Sequence, residues 1–340
     1  MAAWTDVYRA GLVFMCVIIL TESKTDKDTL TDADLKKFEE MVELKGGKFI
    51  MGTDEPNARD GEGPSRKVTV KPFKIMRYPV TNAAFRQFVK AKRFKTEAER
   101  FQWSFVFDAF VSEEVKANIT ERIPNTPWWV PVPRAYWRQP EGQGSTITKK
   151  LNWPAVHISA NDAKQYCQWK GWRLPTEPEW EYAARGGLES KRYPWGARYD
   201  NKRMNIWQGK FPEENTKEDG YHGSSPVDAF EPQNDYGMYD MVGNLWEWTS
   251  TIFKSPNQDS NPENPMLVLR GGSYIDSKDG AFNHMARVTT RMGNTADAGS
   301  DNLGFRCASN VEREKYKPIS TPPKGKKADS VKAKTEKVEL

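Results

Sequence analysis

The sequence predicts one mixed α+β domain with little regular secondary structure, and three observations carry that expectation. Glycine and proline are frequent, 24 and 22 of 340 residues, and they punctuate helices and strands every few positions. Hydrophobic residues make up only 37%, yet 13 Trp, 16 Phe and 12 Tyr supply large burial per side chain, enough for a core. Short alternating runs and capped helical runs follow one another with no internal repeat and no heptad pattern.

Taken in order, Arg9 precedes GLVFMCVIIL, ten apolar residues ending at Leu20. That is too short to span a bilayer and fits the core of a secretory signal peptide, expected over residues 1–22. Residues 23–43 read as a charged extension in which Thr31, Asp32, Ala33 and Asp34 cap a short helix running through Leu44. From Gly46 the main domain is expected to extend over residues 44–310. Val68 and Val70 alternate with Thr69 and Lys71 as a strand. Thr81 or Asn82 caps a helix with Phe85, Phe88 and Val89 on one face. Residues 120–150 (TPWWVPVPRAYWRQP at their centre) read as an ordered irregular loop. Ser159 or Asn161 starts a helix through Cys167 and Trp169 that closes near Gly171. Thr176 and Glu179 form a capping box for the next helix, whose packed face is Trp180, Ala183 and Ala184. Residues 190–310 read as loop-dominated.

The formal net charge of +5 does not imply nucleic acid. Residues 311–340 hold nine Lys/Arg against five acids, so this tail carries +4 of it, and the rest of the chain has no basic stripe. The tail from Pro318 is expected to be disordered. It ends Lys337-Val338-Glu339-Leu340, which resembles a KDEL-type retention signal without its Asp. Removal of the signal would take Cys16 with it and leave Cys167 and Cys307, an even number in an oxidising compartment, which are expected to form a disulfide. In the chain-entropy account, closing so long a loop is worth about 4–5 kcal/mol. Asn118-Ile119-Thr120 is a glycosylation acceptor. Signal, acceptor and tail together favour the endoplasmic reticulum lumen as the expected location.

Eight segments in register, among them GGKFIMGT, NWPAVHIS, CQWKGWRLPTEPEWEYAARGG, YGMYDMVGNLWEWTS and DNLGFRCAS, resemble the formylglycine-generating enzymes, also called sulfatase-modifying factors. The resemblance implies their C-type-lectin-like fold. Active members carry G-G-S-(Phe/Tyr)-x-Cys-x4-Cys, and the two thiolates bind Cu(I). In LRGGSYIDSKDGAFNHMARVTTRMGNTADAGSDNLGFRC, residues 269–307, those places hold Asp276 and Ala281, with a two-residue insertion after GGSY, and no cysteine occurs between Cys167 and Cys307. A carboxylate and a methyl offer no soft donor, so no copper is expected. The chain is thereby most similar to the paralogous branch that lacks the pair. Ser273 and Trp246 match other residues of the family's cleft.

By the same resemblance, two calcium ions are expected. The first would take the side chains of Asn205 and Asp219 with the carbonyls of Ile206 and Tyr221. The second would take Asp240 and Glu247 with the carbonyls of Gly243 and Leu245. Side-chain carboxylates supplemented by loop carbonyls are what calcium requires; from composition alone these Asn and Asp would equally serve as turn caps beside Trp207, Trp246 and Trp248. The implied role is non-catalytic: binding sulfatase segments around Cys-x-Pro-x-Arg, or the active enzyme as a heterodimer (a homodimer being the other assembly), and modulating, by inhibition, sulfatase activation. The contrasting readings are an oxygenase with another donor set and a calcium-dependent extracellular binding module. The three histidines, His157, His222 and His284, form no HExxH pattern, and a Ser273/His284 nucleophilic pair is disfavoured because His284 follows Asn283 in a polar loop and Ser273 is explained by the cleft. Trp128, Trp129, Tyr136 and Trp137 either contact a peptide or fill the core.

Overall fold

Threonine and serine residues start the helices of this protein, and in the computed structural model their side chains do so by the expected bonds. The structure describes residues 30–120, 122–254, 263–281 and 283–311. The signal-like segment with Cys16, and the basic tail with its KVEL end, lie outside the described residues. Thr31 and Asp34 form a reciprocal capping box for α1 (Asp32–Phe38). Thr81 caps α2 (Asn82–Lys92), which buries Phe85 and Phe88. After α3 (Glu97–Phe101) and α4 (Glu113–Ala117), Ser159 caps α5 (Ala160–Trp169) with Asp162 as its box partner. Thr176 and Glu179 close the box on α6 (Glu177–Arg185), whose Trp180, Ala183 and Ala184 are fully buried. Each such cap satisfies amide groups that the first turn leaves without intrahelical partners.

The helix expected to run through Leu44 stops at Phe38. Met41–Leu44 is instead β1, drawn off by antiparallel pairing with β4 (Phe73–Met76), because a ladder with a buried partner outweighs local helix propensity. A last strand, β11 (Ala308–Asn310), adds to the other edge of β4. β2 (Gly47–Met51) pairs with β3 (Arg66–Val70). Within the segment read as irregular, β6 (Trp129–Pro133) pairs with β5 (Trp103–Phe107). Its prolines are tolerated because this two-stranded ribbon is all edge.

The larger surprise is a four-stranded sheet inside the region read as loop. It has the order β10 (Leu303–Gly304), β7 (Trp246–Ile252), β8 (Met266–Arg270), β9 (Arg291–Thr295). Residues 186–245 carry no helix or strand. The main core gathers Phe85, Trp137, Tyr166, Trp246, Trp248 and Phe305. Cys167 and Cys307 are bonded to each other within it, with Cα atoms 5.7 Å apart, so the expected disulfide is present.

Candidate functional site

A cavity of about 640 Å³ opens where β5, the start of β7 and the loops 275–284 and 296–302 meet. Its walls are largely aromatic: Trp103, Phe105, Trp128, Trp129 and Trp246. Among the described residues, the four most exposed large hydrophobic side chains are Phe101, Trp103, Ile123 and Ile252, and the first three all line this cavity. Large apolar groups left in water in one place mark an interaction site.

The cavity floor begins at the tight turn after β8. Gly271 has φ +100°, and a side chain there would sit 3.1 Å from the Met241 carbonyl and 3.2 Å from the Trp180 ring. Only glycine lets the backbone pass. Beyond the turn, Asp276 organises the loop. Its Oδ2 accepts from the Ser273 amide at 2.6 Å and the Ser273 hydroxyl at 3.0 Å. Its Oδ1 accepts from the His284 amide at 3.1 Å. The His284 ring lies between two carboxylates, Nδ1 3.5 Å from Asp276 and Nε2 3.5 Å from Asp60, and packs edge-on to Trp246 at 4.9 Å. Burial disfavours its charged form, but contacts with Asp276 and Asp60 outweigh that and hold its pKa at about 9, so the imidazole is charged.

The structure places the sequence-derived residues unevenly. Asp276, Trp246 and His284 line the cavity, whereas Ser273 is fully buried beneath its wall. The Ser273 hydroxyl donates to Asp276 and accepts from Asn302 at 3.0 Å, so its proton points to a carboxylate and not to the His284 ring, and the Ser273/His284 nucleophile finds no geometric support. Ala281 is exposed and does not line the cavity; Asn283 and His284 occupy the wall there. Trp128 and Trp129 face the cavity, while Trp137 is buried in the core and Tyr136 packs against it. His157 is wholly buried, its Nε2 donating to the Pro140 carbonyl at 2.8 Å and its Nδ1 2.8 Å from the Ser104 hydroxyl. Burial depresses its pKa to about 4. Asp60, Phe101, Trp103 and Ile123 were not singled out by the sequence, and no local pattern marks them: they reach the site through the fold.

The calcium candidates cluster away from that floor. A side chain on Gly243 (φ +89°) would meet the Asn205 carbonyl at 2.5 Å, and this close approach brings the two expected sets together. Asn205 reaches Asn244 at 3.3 Å and the Gly223 carbonyl at 2.8 Å. Asp219 accepts one backbone amide on each oxygen, from Ile206 at 3.1 Å and Tyr221 at 2.9 Å, and burial raises its pKa. Each oxygen keeps lone pairs free, so this set suits a hard cation. Asp240 is buried with one side-chain bond, from Asn244 at 2.8 Å, and burial raises it to about 8; a cation would relieve that. Glu247 fits less well. Both of its oxygens are taken by Arg306 at 2.6 Å, and one also accepts from Trp180 at 2.9 Å, so its charge is already balanced. Among the described residues no three His, Cys, Asp or Glu side chains converge as a metal cluster.

A sequence profile described as the Sulfatase-modifying factor enzyme 1-like domain matches residues 27–311. The chain belongs to the sulfatase-modifying factor family. It is 60% identical over 273 residues to the Bos taurus protein named inactive C-alpha-formylglycine-generating enzyme 2, covering 80% of this chain and 89% of that one. It is 49% identical over 280 residues to the Mus musculus formylglycine-generating enzyme, covering 79% of this chain and 74% of the enzyme. The solved structure of PvdO from Pseudomonas aeruginosa superimposes with a TM-score of 0.56 at 27% identity, covering 81% of this chain and 96% of PvdO. Within the family this chain is a non-catalytic paralogue. The cysteines among its described residues, Cys167 and Cys307, are bonded to each other in the core, and the cavity wall carries the Asp276–His284 pair.

Proposed function

We propose that this paralogue is a binding protein of the sulfatase-maturation route in the endoplasmic reticulum lumen. Its cavity receives extended segments around the Cys-x-Pro-x-Arg motif of unfolded sulfatases, or the chain pairs with the active enzyme, and in either case it restrains the oxidation of the segment cysteine. One observation carries this: the chain has an aromatic cavity with an apolar mouth, while its described cysteines are joined to each other in the core. Apolar side chains arrayed around a deep cleft suit an unfolded chain, which brings unburied side chains of its own. The exposed Asn118, at the end of α4, suits a glycan acceptor. Two bound calcium ions would cross-link the residue 205–247 loops through Asn205, Asp219 and Asp240.

The decisive experiment adds this chain in excess to the active enzyme acting on a Cys-x-Pro-x-Arg peptide. Formylglycine formation should slow, and a fluorescein-labelled peptide with Ser in place of the Cys should bind this chain directly. An undisturbed rate together with no binding overturns the reading. For calcium, exhaustive chelation should lower the melting temperature, and metal analysis of purified protein should return the ion; an unchanged melting temperature and no bound calcium would remove it from the account.

A further inference from the structure

One carboxylate on the cavity wall has no partner. Asp276 is matched by His284, and the neighbouring Asp301 accepts from the Phe107 amide at 2.9 Å and the Tyr274 hydroxyl at 2.8 Å. Asp297, half-buried on the same wall, makes no hydrogen bond or ion pair with any described residue. Nor does a cation stand by: among the described residues that line the cavity none is Lys or Arg, and its charged groups are Asp276, Asp297 and His284. With His284 balancing Asp276, the cavity is left with the single negative charge of Asp297.

That carboxylate is held in a defined place. The Ala296 carbonyl accepts from the Asn161 amide at 3.1 Å, and the Ala298 amide donates to the Thr295 carbonyl at 3.0 Å. Ser300 bridges to Phe105, and the Asp301 amide donates to the Phe105 carbonyl at 3.0 Å. The loop carrying Asp297 is thus stitched to β5, whose Trp103 and Phe105 line the same cavity and pack edge to face at 5.0 Å. Partial burial of an unpaired charge is unfavourable. A ligand that brings the opposite charge converts this into attraction, and aromatic faces nearby add to it.

We propose that Asp297 is the specificity-determining residue of this cavity, pairing with a basic side chain of an extended peptide whose apolar groups rest on Phe101, Trp103 and Ile123. The inference deepens the peptide-binding reading above and rests on it. Arginine is favoured over lysine, because a planar guanidinium offers a bidentate fork to the carboxylate and a flat face to the tryptophans.

The test measures fluorescence polarisation of the full chain with the labelled Ser-x-Pro-x-Arg peptide and with the same peptide carrying neutral citrulline for arginine. The citrulline peptide should bind about tenfold more weakly, the ratio that one charge-assisted contact supports. Asp297→Asn should weaken the arginine peptide by the same factor and leave the citrulline peptide unchanged. Asp297→Lys should reverse the preference, favouring a glutamate-bearing peptide. Equal binding of the arginine and citrulline peptides, or equal losses for both in Asp297→Asn, would overturn the assignment while leaving peptide binding standing. Binding of neither peptide would overturn both.

Discussion

Two halves of the molecule are built by different physics. Around α2 and α5 the core is apolar: Phe85 stacks on Tyr166 and meets Trp137 at 5.3 Å, Phe305 meets Tyr166 at 5.3 Å, and the Cys167–Cys307 bond runs through the cluster. Around the cavity floor buried arginines tie the ends of β8 and β9 to α6, and the loop after the sheet turn to residues 55–62. Arg270 reaches Glu177 at 2.6 Å and Glu181 at 2.7 Å. Arg291 reaches the same Glu177 at 2.7 Å. Arg287 binds Glu62 at 2.8 Å, in the loop that also presents Asp60 to His284. Removing apolar contact from the first half should cost stability alone. Removing a fork from the second should cost stability and also unmake the site.

Arg270→Met tests this most severely. It leaves Glu177 and Glu181 buried and short of a cation, and the loss should approach about 5 kcal/mol, read by urea unfolding. If it costs no more than Phe85→Leu, or leaves peptide binding intact in the surviving folded fraction, the contrast fails. Next comes the apolar half. Cys167→Ala with Cys307→Ala should lower stability by about 4 kcal/mol in the chain-entropy account while leaving peptide affinity unchanged once folded. Altered affinity would show that the two halves are coupled.

The smaller effect is a pair of opposed pH dependences. His157, buried between Ser104 and Pro140 beneath the cavity wall, has its folded pKa depressed to about 4 from 6.5. The unfolded chain therefore takes up a proton that the folded one refuses, and stability falls as pH drops below 6.5, by on the order of 3 kcal/mol at pH 4. His284, at the cavity, is raised to about 9 from 6.5. Its contribution is fully present below 6.5 and lost as pH rises through 9. His157→Gln should flatten the acid limb and His284→Gln the alkaline limb of a stability–pH profile. Variants that keep the wild-type shape on both limbs would break the comparison.

Much of the first half was legible in the sequence, because its signals are local. Thr81 and Ser159 each sit at the start of their helix, and a cap is a bond between residues three apart. The cysteine pair followed from a count. The second half was less legible. The sheet formed by Trp246–Ile252, Met266–Arg270 and Arg291–Thr295 is stitched from strands with long connections between them, and their pairing leaves no short-range trace. The expectation of a helix through Leu44 failed for the same reason, since β4, far along the chain, claims Met41–Leu44.

By itself, the sequence determined the family, the absence of the thiol pair and the capped helices. These rest on residue identity and on contacts between near neighbours. Only the tertiary structure decided that Ala281 lies outside the cavity while His284 lines it, that Asp60 arrives to meet it, and that Asp297 faces the cavity without a cation. Each of those depends on side chains from distant loops meeting in one low-dielectric place, where charge and hydrogen bonding must balance across the whole set.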